Sequence, residues 1–188
     1  QAAATVGQCE LMFMYDKLFS EYGHKIGQLL VTRSDIENSE RKENLVNAFD
    51  KLLEYGAIPI VNENDAVAVE EIVFGDNDQL SAIVAKLIGA DGLVIMTDID
   101  GLFSGNPKTD KDAVLIPVVD EITEEIEKLA GGAGTRRGTG GMITKIHAAK
   151  IACDAGIPTV IMNGSNPEDI YRLMEGRQTG TMFCAQKN

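Results

Sequence analysis

Short apolar segments alternate with amphipathic segments of helical spacing along this chain of 188 residues. The pattern predicts helices over 2–22, 39–56, 79–89, 121–129, 142–155 and 167–175, and strands over 26–32, 57–61, 92–96, 157–162 and 179–184. Turns of a few residues join most of these segments, which is typical of a parallel sheet covered by helices. We therefore expect an α/β fold in one domain spanning residues 1–188, because this length suits a single core.

The second predicted helix shows how single residues set these expectations. Ser39 is its expected N-cap, since a serine hydroxyl can accept a hydrogen bond from a backbone N–H group of the first turn. Leu45, Phe49 and Leu52 share one face and should contribute to the core. Gly56 is the expected end of the helix.

Charge and composition argue against several classes of protein. The net charge of −12 disfavours a general binder of nucleic acid or of anionic membranes. No apolar run approaches the roughly 20 residues of a membrane span, and the N-terminus carries no secretory signal. The scattered Cys9, Cys153 and Cys184 predict reduced thiols and a cytoplasmic protein. With His24 and His147 as its two histidines, the chain should have no histidine-built zinc site, and we predict no protein-bound metal.

Polar side chains crowd into two loops next to apolar segments. "NEND" (62–65) follows the strand at 57–61, and "GDND" (75–78) precedes the helix at 79–89. Two acids about 7 Å apart in the second loop would repel each other by about 2 kcal/mol, so some feature of the folded protein should offset that cost. The candidates for holding the ammonium and carboxylate of an amino acid are Asn62, Asn64, Asp65, Asn77 and Asp78. The alternative is an ordinary Asx turn in the first loop and a helix cap at Asp78 in the second.

A glycine-rich stretch, "AGGAGTRRGTGGM" (130–142), leads into the helix at 142–155. Glycine lets backbone N–H groups turn toward an anion, and a helix N-terminus adds about half a positive charge. Lys145 lies in the first helical turn and can reach the same anion. The spacing matches neither the P-loop nor the dinucleotide-binding motif, so a surface loop with a solvated Lys145 stays open as an alternative.

Thr97 and Asp98 directly follow the strand at 92–96. In open α/β sheets, ligands bind outside the carboxyl ends of the strands. These two residues are therefore candidate nucleotide contacts, and the alternative is a plain turn that ends the strand.

Four motifs, "NENDAV", "FGDNDQLSA", "TDIDGLF" and "GTGGMITKIHAAKIA", occur in this order, and the chain closely resembles the amino acid kinase family over essentially its whole length. The resemblance implies a three-layer α/β/α sandwich with a mainly parallel central sheet. It also implies transfer of the ATP γ-phosphoryl group to the side-chain carboxylate of L-glutamate, the first step of proline synthesis. Mg²⁺ carried by ATP, a homodimer or homotetramer, and feedback inhibition by proline are further expectations from the resemblance.

The resemblance also assigns roles to individual positions. It places Asp65 and Asn77, with Asn62 beside them, on glutamate, and it places Thr97 and Asp98 on the nucleotide. Asp78 matches an acid that orients catalytic lysines. The ATP-binding stretch corresponds to Thr139, Gly140, Gly141, Met142, Ile143, Thr144 and Lys145, with Lys145 on the transferring phosphates.

Two features of the family lie outside the 188 residues. The family begins with a strand, a glycine-rich loop with a second lysine, and a Ser-Gly loop, and many members append an RNA-binding-like domain. We therefore expect these residues alone to be inactive. The alternatives are a kinase of the same fold acting on acetylglutamate, aspartate, carbamate or UMP, a non-catalytic module that senses an amino acid or a nucleotide, and a plain α/β scaffold.

Overall fold

A computed structural model describes residues 1–67, 76–131 and 141–186. The chain divides into two compact units, Gln1–Asn77 and Asp78–Asn188. Helices and short strands alternate in both units, as the sequence pattern predicts.

The first unit contains a two-stranded parallel sheet and three helices. Its elements in chain order are α1 (Ala2–Ser20), β1 (Lys25–Val31), α2 (Arg33–Glu37), α3 (Ser39–Glu54) and β2 (Ala57–Glu63). β1 and β2 are parallel, with Lys25 opposite Ala57 and Val31 opposite Glu63. Helix α1 packs against β1, and α3 packs against β2. Strand β2 runs two residues beyond its predicted end and so includes the first two residues of the "NEND" loop.

Helix α3 has the predicted core face, but its cap differs from the prediction. Phe49 is buried and Leu52 is half-buried, and a Cβ atom at Gly27 of β1 would collide with the Leu52 side chain. The N-cap is Asn38 rather than Ser39, because the Asn38 side chain accepts a hydrogen bond of 3.0 Å from the backbone N–H of Arg41. Ser39 is instead the first helical residue.

The short helix α2 is absent from the sequence prediction. Thr32 is its N-cap: the Asp35 carboxylate accepts one hydrogen bond of 2.8 Å from the Thr32 backbone N–H and a second from the Thr32 hydroxyl. Burial acts to raise the pKa of Asp35, but the bonds from Thr32 and the nearby Arg41 guanidinium outweigh it and hold that pKa below its usual value. This network fixes the chain just beyond the carboxyl end of β1.

The second unit contains a four-stranded sheet in the order β3-β5-β6-β4. Its elements are α4 (Asn77–Ile88, which begins at the last residue of the first unit), β3 (Leu93–Thr97), β4 (Val118–Val119), α5 (Glu124–Ala130), α6 (Met142–Asp154), β5 (Thr159–Asn163), α7 (Asp169–Met174) and β6 (Thr181–Phe183). β3 is parallel to β5 and β4 is parallel to β6, whereas β5 and β6 are antiparallel. Parallel pairs therefore predominate, as expected.

Two details of this unit differ from the sequence prediction. Helix α4 begins at Asn77, two residues earlier than predicted, so Asp78 lies inside the first turn rather than ahead of it. Strand β4 was not predicted, and its two residues pair with β6. The hairpin predicted around 67–75 falls, beyond Val67, outside the described residues.

The core of the second unit joins α4 and α6 to the sheet. Helix α6 packs against β3 and β5. The buried cluster combines small residues of both helices with larger residues of the strands: Ala82, Ala85, Ala148, Ala149, Ala152, Ile95, Ile161 and Phe183. Since both helices are anchored in one cluster, the positions of their N-termini are fixed relative to each other. No helix in the described ranges combines the length and apolarity that crossing a membrane would require.

Candidate functional site

Asp78 and Lys145 form an ion pair within the second unit. The Lys145 Nζ atom lies 2.8 Å from Asp78 Oδ2, and the two side chains are only 11% and 17% exposed. Asp78 belongs to the first turn of α4 and Lys145 to the first turn of α6. A charge-assisted hydrogen bond of this length in a partly dehydrated setting is among the stronger polar contacts in a protein. The pair thus holds a lysine ammonium group in a defined position.

Thr144 adds a second contact to the same carboxylate. Its hydroxyl lies 2.9 Å from Asp78 Oδ2 and 2.8 Å from the carbonyl oxygen of Gly141. A threonine hydroxyl has one hydrogen, so it donates to one of these acceptors at a time. The hydroxyl can therefore switch toward the Gly141 carbonyl when Asp78 is engaged elsewhere.

The dipoles of the two helices explain why an acid at the start of α4 accompanies the lysine at the start of α6. A carboxylate in the first turn of a helix is stabilised by the helix dipole, whereas an ammonium group there is not. Asp78 is thus favoured at the start of α4, and it neutralises the lysine that the start of α6 would otherwise disfavour. An incoming anion would find the Lys145 ammonium and the first backbone N–H groups of α6 together.

Thr97 and Asp98 lie where β3 ends, beside the end of β5. The Thr97 hydroxyl is 3.3 Å from the Asp98 carboxylate, and the Thr97 carbonyl accepts a hydrogen bond of 2.8 Å from the N–H of Gly164. Asn163, opposite Thr97 in the register, donates from its side chain to Asp100 at 2.7 Å. The carboxyl ends of two parallel strands therefore gather several polar side chains, as the location of ligands in α/β sheets predicts.

A mainly apolar cavity of about 460 Å³ begins directly after Asp98. Its walls are the segment that follows β3, the end of α5 and the start of α6, with Leu102, Phe103, Leu129 and Met142 among the lining residues. Lys108 and Lys128 add positive charge to its border. Such a cavity, apolar with a few polar groups at its rim, is typical of small-molecule sites.

In the first unit, Asn62 and Asp65 lie at the end of β2. The Asn62 amide donates a hydrogen bond of 3.0 Å to the Gln8 side chain of α1, and its own oxygen accepts from the Glu63 N–H. A cleft of about 360 Å³ lies beside them, lined by residues of α1, β1 and the "NEND" loop that include Gln8, Asn64 and Asp65. Asp65 is exposed and can accept hydrogen bonds from a bound group.

The structure therefore groups some of the predicted site residues. It joins Asp78, Thr144 and Lys145, with Gly141 next to them, and it joins Thr97 with Asp98. Met142 and Ile143 are half-buried in the first turn of α6, and Asn77 is exposed at the start of α4. Thr139 and Gly140 lie outside the described residues.

Three residues of these groups were not predicted as site residues. Asn163 and Asp100 were part of strand-end motifs noted in the sequence, "NGS" and "TDIDG", so a signal was present. Gln8 lies in the middle of a helix, and no sequence signal marks its contact with Asn62, because that contact spans 54 positions.

The sequence profile of the amino acid kinase family matches residues 1–163. The chain belongs to the amino acid kinase family. It is 53% identical over 191 aligned residues to the glutamate 5-kinase of Clostridium perfringens (strain 13 / Type A), covering 100% of this chain and 71% of that enzyme. It is 55% identical over 183 residues to the glutamate 5-kinase of Clostridium acetobutylicum, covering 97% of this chain and 68% of the relative. The family predicted from the four motifs is thus confirmed.

Solved structures of two other kinases share the fold at lower identity. Isopentenyl phosphate kinase of T. acidophilum, in a product complex, has a TM-score of 0.63 at 20% identity, over 93% of this chain and 66% of that one. UMP kinase from Ureaplasma parvum has a TM-score of 0.56 at 14% identity, over 88% and 62% of the two chains. Likenesses at this identity concern the fold alone, and they confirm the predicted α/β fold class of a mainly parallel sheet with helices.

Proposed function

We propose that the protein, at its natural length, transfers the γ-phosphoryl group of ATP to the side-chain carboxylate of L-glutamate, and that this chain supplies the residues named above to the site. The products are ADP and glutamyl 5-phosphate, and the reaction is the first committed step of proline synthesis. Relatives named glutamate 5-kinase are 53% and 55% identical over 100% and 97% of the chain, which supports this acceptor over the others used within the fold. We further propose that residues 1–188 belong to one amino acid kinase domain.

The observation that carries the proposal is the ion pair between Lys145 and Asp78 at two helix N-termini. Phosphoryl transfer needs positioning and neutralisation of charge on the phosphate oxygens more than covalent participation by the protein. Lys145 and the N-terminus of α6 would supply that neutralisation, and Asp78 would hold the ammonium group in place between turnovers. The acceptor is a carboxylate, which is a nucleophile at neutral pH, so the step needs no general base.

The residues fit ATP with a magnesium ion that arrives on its phosphates. Within residues 1–67, 76–131 and 141–186, no group of three or more His, Cys, Asp or Glu side chains is placed to hold a metal ion. Mg²⁺ usually keeps several waters and binds through substrate phosphates, where it would neutralise charge beside Lys145. The ATP-binding stretch would include Gly141 to Thr144, together with Thr139 and Gly140.

The nucleotide base fits the apolar cavity that begins at Ile99. Thr97 and Asp98 would then contact the ribose and phosphate part, because they immediately precede the cavity along the chain. The volume of about 460 Å³ lies within the range of about 300–1,000 Å³ that is typical of small-molecule pockets.

Glutamate would bind through the polar loops that end β2 and begin α4. Asp65 is suited to the substrate ammonium group, and Asn62 and Asn77 are suited to its carboxylates, since amides donate and carboxylates accept. The Lys145 ammonium group, 2.8 Å from Asp78, already offsets part of the repulsion between the two acids of "GDND", and the substrate ammonium group would add to this.

The wider biology follows from the family resemblance alone. We propose a cytoplasmic homo-oligomer, dimeric or tetrameric, that proline inhibits. The resemblance is the support for each of these points, and the scattered reduced cysteines support the location.

A panel of acceptors tests the proposed reaction. The protein at its natural length is incubated with ATP, Mg²⁺ and hydroxylamine, and each of glutamate, acetylglutamate, aspartate, carbamate and UMP is added in turn. Glutamate should give ADP together with a hydroxamate, because hydroxylamine traps an acyl phosphate. ADP release with another acceptor and not with glutamate would move the chain to a different activity of the fold. Heat of binding without turnover would indicate the sensing module.

A further inference from the structure

Thr181 is a fully buried polar residue at the start of β6, with 0% of its surface exposed. Its hydroxyl oxygen accepts a hydrogen bond of 2.8 Å from the backbone N–H of Leu102 and donates one of 2.7 Å to the carbonyl of Ile116. The hydroxyl donor is thus used, and both partners belong to segments far away in sequence. A buried hydroxyl with both roles filled is held in one orientation.

Leu102 and Ile116 form the base of a hairpin, and Thr181 completes their pairing. The N–H of Ile116 donates directly to the Leu102 carbonyl at 2.8 Å, and Phe103 pairs with Leu115 next to them in antiparallel fashion. Residues in a hydrogen-bonded antiparallel pair exchange two N–H···O bonds. Here the second bond, from Leu102 N–H to Ile116 carbonyl, is relayed through the Thr181 hydroxyl. The direct bond and the hydroxyl relay together therefore set the separation of the two chains at the base of the hairpin.

The backbone at Gly101 is pressed against Thr181. Gly101 has φ of +149°, and a Cβ atom there would lie 2.6 Å from the Thr181 hydroxyl oxygen and 3.0 Å from its backbone nitrogen. Glycine meets both demands, since it adopts positive φ without strain and leaves room for this approach. The segment after β3 thus takes its course from the surface that Thr181 presents.

That segment is the one that leads from the candidate nucleotide contacts into the cavity. It begins with Thr97 and Asp98, and Gly101, Leu102 and Phe103 line the cavity wall. The side-chain hydrogen bond from Asn163 to Asp100 on this segment is solvent-exposed, whereas the hydrogen bond between Thr181 and Leu102 is buried. A buried hydrogen bond restrains its partners more strongly than an exposed one.

We propose that Thr181 is a positioning residue for nucleotide binding. Its hydroxyl holds Leu102 and Ile116 at a fixed separation, and thereby sets the course of the 97–103 segment and the width of the cavity. Thr181 itself does not touch the nucleotide. This inference rests on the proposed function, because it takes the 97–103 segment as part of the ATP site.

Three substitutions at one position separate the hydroxyl from the shape of the side chain. Thr181→Val keeps the shape and removes the hydroxyl, so that Leu102 N–H and Ile116 carbonyl lose their shared partner. Thr181→Ser keeps the hydroxyl, and Thr181→Cys offers a weaker hydrogen-bonding group. Thr159→Val is the matched control: Thr159 is also 0% exposed and lies on the neighbouring strand β5, but its hydroxyl has no hydrogen-bond partner in segment 97–116.

The dissociation constant of ATP is measured calorimetrically with Mg²⁺ and without glutamate, and kcat and both KM values are measured alongside. Thr181→Val should weaken ATP binding and raise the ATP KM about tenfold, with the glutamate KM and kcat changing less than about twofold. For Thr181→Ser and Thr159→Val, the ATP dissociation constant and the ATP KM should stay within about threefold of the natural protein's values. Thr181→Cys should give values between those of Thr181→Ser and Thr181→Val. If the Val variant does not fold, the order of Ser and Cys decides.

Unchanged ATP affinity in folded Thr181→Val or Thr181→Cys would overturn the inference. An equal increase in the KM values for ATP and for glutamate would also overturn the inference, because it would indicate a general structural defect. If the natural protein binds ATP but does not phosphorylate glutamate, the proposed reaction fails, while the ATP affinities still decide the role of Thr181. If the natural protein binds no ATP, both proposals fail.

Discussion

The ammonium nitrogen of Lys145 lies 2.8 Å from the carboxylate of Asp78, although the two residues are 67 positions apart in the chain. Each residue belongs to the first turn of its helix, and both helices are anchored in one buried cluster. The packing of the unit therefore brings Asp78 and Lys145 together, and their contact is not a chance meeting of two mobile side chains.

Replacing Lys145 with alanine should abolish most of the turnover. Loss of one preorganised donor to developing charge lowers kcat by about 10²–10³, and the glutamate KM should change less than about threefold, because the lysine is assigned to the phosphates. Steady-state kinetics measure both effects. Lys150→Ala is the matched control, since Lys150 lies on the same helix and makes an exposed ion pair with Glu127. A Lys145→Ala enzyme with near-natural kcat would refute the phosphate assignment.

Replacing Asp78 with asparagine should act through Lys145. The amide keeps the shape but cannot neutralise the ammonium group, so kcat should fall although Asp78 touches no substrate in the proposal. Combining Asp78→Asn with Lys145→Ala should cost little beyond Lys145→Ala alone, because residues that act as a unit are strongly non-additive. Chemical denaturation should give a coupling of about 1–2 kcal/mol between the two substitutions. Additive losses in both kcat and stability would show that the ion pair is incidental.

The sequence predicted this contact only through the family resemblance. Spacing and periodicity placed Asp78 before one helix and Lys145 in the first turn of another, but they carry no information on a contact across 67 positions. The same limit applies to Thr181, whose partners lie 79 and 65 positions away. Nothing in the sequence distinguishes Thr181 from other strand threonines, because the hairpin base that it bonds forms only when the unit folds.

Local errors in the predicted fold have local physical causes. Helix α2 has five residues, too few for helical periodicity to show in the sequence. Because α2 was not predicted, Asn38, which ends α2 and caps α3, was overlooked in favour of Ser39. Strand β4 has two residues, and it forms because Val118 and Val119 pair with Met182 and Phe183. By contrast, helices α3 and α4 were predicted to within a few residues, because burial of one face imposes a clear period on their sequences.

Asp65 should govern the affinity for glutamate without affecting the affinity for ATP. A charge-assisted hydrogen bond from the substrate ammonium group is worth about 1.5–3 kcal/mol, so Asp65→Asn should raise the glutamate KM about 10- to 100-fold. The ATP KM and the thermal midpoint should stay close to natural, since Asp65 is exposed. Asp50→Asn removes an equally exposed acid from α3 of the same unit and should leave all three quantities unchanged. A larger effect on the ATP KM than on the glutamate KM would reverse the assignment.

Asp35 should make the stability of the protein depend on pH in the acid range. Its pKa in the folded protein is held below the usual value, because the bonds from Thr32 and the charge of Arg41 outweigh the opposing effect of burial. A lowered folded pKa stabilises the native state fully above the unfolded pKa of about 3.9, and the contribution is lost as the pH falls through the folded pKa. Asp35→Asn should therefore reduce the free energy of unfolding by about 1 kcal/mol at pH 7, and the difference from the natural protein should shrink below about pH 4.

Denaturant unfolding at several pH values between 3 and 7 measures that difference, and a neighbouring ion pair serves as the control. Arg33→Ala breaks the pair with Glu37 on the same short helix, in which both side chains are more than half exposed. Exposed ion pairs contribute little to stability, so the free energy of unfolding of this variant should differ from that of the natural protein by less than about 0.5 kcal/mol at every pH. If the Asp35→Asn difference stays constant down to pH 3, the carboxylate is not the source of the stabilisation.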